Sequence, residues 1–172
     1  MAAELFGGPE PLDPSHDVQR FDCGAPPLNE YLRRQALPDQ QAGKSRTYVA
    51  FVGIGVIAYF SLAAASVEPD AAIARVGKGQ GSQSIPCVLL ARFAVDVDYQ
   101  GHGLGQAMLM EALRACLRAA DVIGVRAVLV HAKDESTRDF YERYGFMASP
   151  THPLHVMMPM KDVRANVTDV LG

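Results

Sequence analysis

Gly101, Gly103 and Gly105 stand between an apolar run, Val88–Val95, and a stretch of helical periodicity over residues 103–120. A buried strand, a glycine loop and a helix start in that order make an anion site. Glycines let backbone N–H groups approach a ligand closely, and a helix N-terminus adds unpaired donors and partial positive charge. Such a site suits a phosphate-bearing ligand at the end of a central strand. A Walker A loop is excluded, because no Lys-Ser/Thr pair follows the last glycine. A dinucleotide loop fits poorly, since the third glycine comes early and the strand lies mid-chain after an apparent hairpin. Glycines that only cap or turn would give the same letters, so the loop does not decide alone.

A second group lies at Phe140 and Tyr141, near the end of a helical stretch, with Gly145 and Phe146 following. A tyrosine hydroxyl, with a pKa of about 10, is a feasible proton donor where a reaction needs a general acid. Taken alone, Tyr141 reads as core packing. Tyr144 is a rival donor and reads better as packing. His131, at a strand end, could act as a base but reads more simply as a hydrogen-bonded strand-end histidine. His16, His152 and His155 show no metal-ligand spacing. Arg92 interrupts the apolar strand, where an unpaired charge is costly. It must pair, reach a cleft or lie on an edge.

These residues need a framework. Residues 1–16 read as a loose start rich in proline and glycine, and His16–Asp22 as a short edge strand. Pro26 and Pro27 start a helix carrying Leu28, Tyr31 and Leu32, with Arg33 and Arg34 outward. Pro38 breaks or kinks it, with one more turn possible after it. Arg46–Val52 and Val56–Ala64 form an antiparallel hairpin around Gly53-Ile54-Gly55. Residues 67–86 form a long polar segment, either functional or a surface excursion. Leu109, Leu113, Cys116, Leu117 and Ala120 give residues 103–120 one apolar face. Val125–His131 is the next buried strand, parallel to the central one through a right-handed crossover. Asp134 caps a second helix, which Gly145 closes. Phe146–Ala148 and Leu154–Met160 pair as late strands, and residues 161–172 read as a frayed tail.

At 172 residues with 49% hydrophobic content, the chain is sized for one globular domain spanning 1–172. No apolar run reaches the roughly 20 residues of a membrane span, and no signal-peptide pattern opens it. Three cysteines without C-x-x-C spacing indicate a reduced, cytoplasmic setting and no structural zinc. The net charge of −3 conceals a polarity: acids dominate residues 1–30, bases dominate 31–92 and a slight acidic excess follows. A basic middle can face a polyanion or be an ordinary solvated surface.

Gln100-x-x-Gly103-x-Gly105 resembles the acyl-CoA pyrophosphate loop of the GNAT N-acetyltransferase superfamily. The stretch from Asp134 through Phe140-Tyr141 to Gly145-Phe146 is similar to its second hallmark, in the expected order. The resemblance covers about residues 17–161. It implies an α/β GNAT fold: a mixed, mostly antiparallel sheet, splayed at the acetyl-CoA site, with helices on both faces. Phe21-Asp-Cys-Gly, Leu28-Asn-Glu-Tyr-Leu32, Ala58-Tyr-Phe-Ser-Leu62 and Leu90-Ala-Arg-Phe-Ala-Val-Asp96 narrow it to the GNAT toxins of type II toxin–antitoxin modules, the TacT/AtaT type. Asp134 and Thr137 depart from the general pattern, which often has Asn and Ala there; Asp134 is compatible with the toxin branch.

The resemblance implies acetyl-CoA as co-substrate, with no metal. It places Ala94, Val95, Gln100, Gly101, His102, Gly103, Leu104, Gly105, Asp134 and Phe140 on the acetyl-CoA side. The Val95 N–H becomes the oxyanion donor and Tyr141 the acid. The acceptor in that branch is the amino group of aminoacyl-tRNA, and its acetylation blocks translation. Arg33, Arg34, Lys44, Arg46, Arg75, Lys78 and Arg92 are the corresponding RNA-contact candidates. Expected partners are a ribbon-helix-helix antitoxin, operator DNA through that antitoxin, and a second copy in a homodimer. A GNAT enzyme acting on protein N-termini or small amines is the alternative reading. A non-catalytic acyl-CoA-binding module is the third, and Tyr141 with the intact loop argues against it.

Overall fold

The computed structural model describes residues 6–171. Seven strands run in the order β1-β2-β3-β4-β5-β7-β6. They are β1 Gly7–Pro11, β2 Arg46–Val52, β3 Gly55–Val67, β4 Ile85–Val95, β5 Ala127–His131, β6 Met147–Ala148 and β7 His155–Pro159. The β4–β5 pair is parallel; β1–β2, β2–β3, β5–β7 and β6–β7 are antiparallel. Helices are α1 Pro26–Glu30, α2 Ala36–Gln41, α3 Ala74–Gly77, α4 Leu104–Ala120, α5 Glu135–Glu142 and α6 Met160–Leu171. The fold is thus mixed α/β with a mostly antiparallel sheet.

The chain divides into two compact units. One runs up to Ala63 and includes Ala91–Ala112; the other holds Ala64–Leu90 and the chain from Leu113 on. The first packs Leu12, Phe21, Tyr31, Leu32, Val49, Val56 and Tyr59 into one core. Its hairpin turns through Gly53 and Ile54, with Val52 opposite Gly55, close to the expected boundaries. The second packs Ile73, Val76, Ile85, Cys87, Leu129 and Met157.

Three expectations need correction. Part of the supposedly loose start is β1, an edge strand paired with β2 from Gly7 opposite Phe51 to Pro11 opposite Tyr48. Its two prolines suit an edge, where ladder donors are dispensable. Gly7 lets the Phe51 ring lie against the backbone, since a Cβ there would sit 2.6 Å from that ring. Residues 1–5 of that start lie outside the described residues. His16–Asp22 is not a strand; only Asp17 bridges to Gly55.

The supposed tail at 161–171 is α6, whose Val163 and Val167 are buried. Val163, Val167, Val170 and Leu171 give this otherwise polar stretch a helical apolar spacing. At Pro38 the helix is distorted but continues, which is the second of the two alternatives and includes the further turn. A π-turn at Tyr31–Gln35 precedes α2, and Tyr31 O accepts from Ala36 N–H. Pro38 has no N–H for Arg34 O and its ring crowds that carbonyl, so the backbone widens there and continues.

The segment between β3 and β4 is not a free excursion. It carries a short 3-10 turn, Pro69–Ala71, and α3. Arg126 Nη2 donates to Val76 O and Lys78 O at 3.2 and 3.0 Å, and Ser149 Oγ donates to Ala71 O.

Candidate active site

The glycine loop sits on a hydrogen-bonded root. Asp96, buried at the end of β4, accepts from Asp98 N–H at 2.9 Å and Asp22 N–H at 3.1 Å. Val97 N–H donates to Asp22 O at 2.8 Å. Gln100 Nε2 donates to Val95 O at 2.7 Å and Cys23 O at 3.2 Å, so its amide braces the loop. Asp22 in turn accepts from Gly24 N–H and Asn29 Nδ2, and Asn29 Oδ1 accepts from Cys23 N–H, all at 2.9 Å. These bonds hold the Asp22 carboxyl below its ordinary pKa. The Phe21–Gly24 and Leu28–Leu32 motifs therefore anchor the loop.

Above that root, Gly101 and Gly103 adopt φ of +80° and +84°, and nothing lies within 4 Å of a Cβ placed on either. Only glycine enters that region at little cost. Leu104 is buried and starts α4, and Gly103 O accepts from Ala107 N–H. The N–H groups of Leu104, Gly105 and Gln106 therefore have no acceptor within the helix. The first turn of α4 carries no acid to compete for them. Gly101, His102 and Gly103 are exposed. An open glycine cradle before uncompensated helix donors fits a pyrophosphate.

In the second unit, Asp134 Oδ1 caps α5 by accepting from Thr137 N–H at 2.7 Å, which lowers its pKa. Tyr141 is 3% exposed, its ring edge-on to Phe140 at 5.1 Å and to Phe146 at 5.4 Å. Burial pushes its phenol pKa up, so it stays protonated throughout the neutral range. Phe140 also meets Tyr144 at 5.2 Å. Burial raises the Cys87 and Cys116 thiols to about 11 and about 12, which leaves little nucleophilic thiolate.

The basic candidates divide by their engagements. Arg92 lies over the Tyr31 ring at 4.3 Å and donates to Ala91 O, which satisfies a charge inside an apolar strand. Arg33 is drawn inward: it donates to Phe21 O, approaches Glu30 at 3.5 Å and keeps a buried Nε without a partner among the described residues. Arg34 pairs with Glu30 but is 79% exposed. Arg75 forms a two-pronged pair with Asp162. Lys44, Arg46 and Lys78 are exposed. Asp22, Asn29 and Asp96 received no role from sequence reasoning; their signal was their place in the quoted motifs.

Glu10, Asp13 and His16 bring ligand-type atoms within 4.8 Å of one another. Asp13 N–H donates to His16 Nδ1 at 3.0 Å, and Nε2 meets Glu10 at 2.7 Å. Both ring nitrogens are committed, so the trio straps the segment after β1.

Residues 43–148 match the acetyltransferase (GNAT) domain. The chain belongs to the GNAT acetyltransferase family. This GNAT chain is 41% identical over 164 residues to the tRNA-acetylating toxin of Mycobacterium tuberculosis, covering 95% of this chain and 98% of the relative. Among solved structures, AtaT complexed with acetyl-methionyl-tRNAfMet matches with a TM-score of 0.84 at 26% identity, over 91% of this chain and 96% of the other. A tyrosine-to-phenylalanine mutant of AtaT, bound to the C-terminus of the antitoxin AtaR and acetyl-CoA, matches with a TM-score of 0.78 at 26% identity. Those shares are 92% and 96%. As a GNAT acetyltransferase the chain is an enzyme of acyl transfer.

Proposed function

We propose that this acetyltransferase moves an acetyl group from acetyl-CoA to the α-amino group of aminoacyl-tRNA and thereby stops translation. The near full-length likeness, at 41% identity, to a tRNA-acetylating toxin carries the reading. Acetyl-CoA would supply the acetyl group as an activated thioester. The N–H groups of Gly101–Gly105 and the first turn of α4 hold its pyrophosphate. The Val95 N–H donates to the developing oxyanion. As the C–N bond forms and the C–S bond breaks, Tyr141 gives its proton to the leaving thiolate, and the proton shed by the amine nitrogen passes to solvent, from which the phenol is restored. An α-amino group has a pKa of about 8 and the ester of a charged tRNA lowers it further, so a neutral fraction exists without a strong base.

Lys44, Arg46 and Lys78, with the outer face of Arg34, supply the attraction for the RNA backbone. An antitoxin of ribbon-helix-helix type neutralises the enzyme and links it to operator DNA, and two copies work as a homodimer in the cytoplasm. The relative bound to an antitoxin C-terminus supports the first of these. A cell-free translation reaction tests the reading. Protein plus acetyl-CoA should halt synthesis, and fresh charged tRNA added after the enzyme is removed should restore it. Arrest that does not need acetyl-CoA, or no arrest, would sink it.

A further inference from the structure

Three histidines left without a role by the sequence lie together. His131 of β5 and His155 of β7 are directly opposed across an antiparallel pair. Their ring centroids are 3.9 Å apart and the planes 19° from parallel. A tight turn, with His155 N–H donating to His152 O at 2.9 Å, folds a third ring back. His152 then stacks on His155 at 4.6 Å and 26°. His155 is the half-buried middle ring, and the outer two are exposed.

The turn is fixed before any ligand arrives. Ala132 N–H donates to Leu154 O and Ser149 N–H to His155 O, both at 2.8 Å. The stack does not converge on a metal ion: imidazole lone pairs lie in the ring plane, so near-parallel rings aim them side by side. What it offers is the two outer rings, His131 and His152, both on exposed residues. Burial first, then repulsion from His152 on both and from His131 on His155, holds His131 and His155 below the ordinary imidazole pKa, which favours neutral rings near pH 7.

Position gives the faces a use. They stand at the carboxyl end of β5, whose Ala127–Leu129 run parallel to Cys87–Leu89. Ligands of open α/β sheets gather outside such strand ends. The helix carrying Tyr141 starts four residues beyond His131. By strand alternation, His131 and His155 share the sheet face of Leu129 and Met157, the face packed by Ile73 and Val76. Exposed aromatic faces on which bases stack are a usual component of a single-strand RNA site.

We propose that the stacked imidazoles of His131, His155 and His152 form a platform for an unpaired base at the 3′ end of the charged tRNA. This rests on the function proposed above. The amine to be acetylated is esterified to the last ribose of that end, so the nearest bases are single-stranded and free to stack. The platform positions the end; it takes no part in acyl transfer.

Kinetics with charged tRNA on the intact protein test this, using His131→Ala, His131→Phe and His152→Ala. His131→Ala should raise KM for charged tRNA on the order of tenfold, the loss falling in KM rather than kcat. His131→Phe keeps a flat face without a titratable nitrogen and should restore KM. His152→Ala, on an exposed turn, should raise KM with little cost in folding. Unchanged KM in both alanine variants overturns the platform, as does a phenylalanine variant as impaired as alanine, or a loss confined to kcat. Wild type that acetylates charged tRNA while the alanine variants match it removes the platform alone. Wild type that does not acetylate charged tRNA removes the functional reading as well.

Discussion

Tyr141 is a phenol kept protonated by burial, its ring packed edge-on against Phe140 and Phe146. Its ring supports packing and its hydroxyl is the proposed acid, so the two roles separate on removing one atom. Tyr141→Phe should lower the turnover of acetyl-CoA by about 10²-fold or more while its affinity for acetyl-CoA and its melting temperature stay close to wild type. Turnover within a factor of two of wild type would remove Tyr141 as the acid. Asp96 belongs to a different class, because it holds the loop and touches no reacting atom in this account. Asp96→Ala leaves the N–H groups of Asp98 and Asp22 without their carboxylate and should cost about 1–3 kcal/mol of stability. It should also raise KM for acetyl-CoA, a shift that steady-state kinetics would detect. The glycines, the aromatic pair and the family pattern were legible in the sequence. The Asp96–Asp22 bond was not: it joins residues 74 apart, and no local spacing reports such a contact.

Elements with strong internal periodicity were the readable ones. The hairpin of β2 and β3 and the long α4 announced themselves by alternation and by a helical stripe. Elements whose stability comes from their neighbours did not. β1 is built of glycines and prolines that only an edge position tolerates, and α6 docks through two valines. The loop before α4 shows why glycine is needed at a defined place. A residue with a Cβ at Gly103 meets open space but an unfavourable φ of +84°. Gly103→Ala should therefore cost roughly 1–2 kcal/mol and weaken acetyl-CoA binding together, as calorimetry would show.

The β5–β7 pair also sets a pH response. His131 and His155 are held below the ordinary imidazole value of about 6.5, first by burial, then by the neighbouring rings of the stack. As pH falls through that value the unfolded chain takes up protons before the folded one. Stability is then full above it and declines below it. Melting temperatures at pH 7.5 and 5.5 should differ, and His131→Phe with His155→Phe should narrow the gap. An equal gap in that variant would assign the acid sensitivity elsewhere. The lowered carboxyls of Asp22 and Asp134 lose their contribution only at more acidic pH, as they protonate.

Across the whole molecule, charge is distributed against the net sign. An acidic protein carries its basic excess in residues 31–92, and the structure sorts that excess into spent and available cations. Arg75 and Arg92 are engaged within the protein, whereas Lys44, Arg46 and Lys78 remain exposed. The sequence could count these bases but not their engagements, because Asp162 and Tyr31 lie far from them along the chain. If three phosphates are neutralised, log kcat/KM for tRNA should fall against log salt with a slope of about −2 to −3. Replacing Lys44 and Arg46 by alanine should make that slope shallower by about one to two. A slope unaffected by the pair would move the RNA to another surface.

The most direct measurement is the chemical identity of the product. Charged tRNA would be incubated with labelled acetyl-CoA and the protein, the ester hydrolysed, and the released amino acid analysed by mass spectrometry. The account predicts an amino acid acetylated on its α-nitrogen from wild type, and almost none from Tyr141→Phe. A free amino acid from wild type, with the label on a protein or small amine instead, would contradict it.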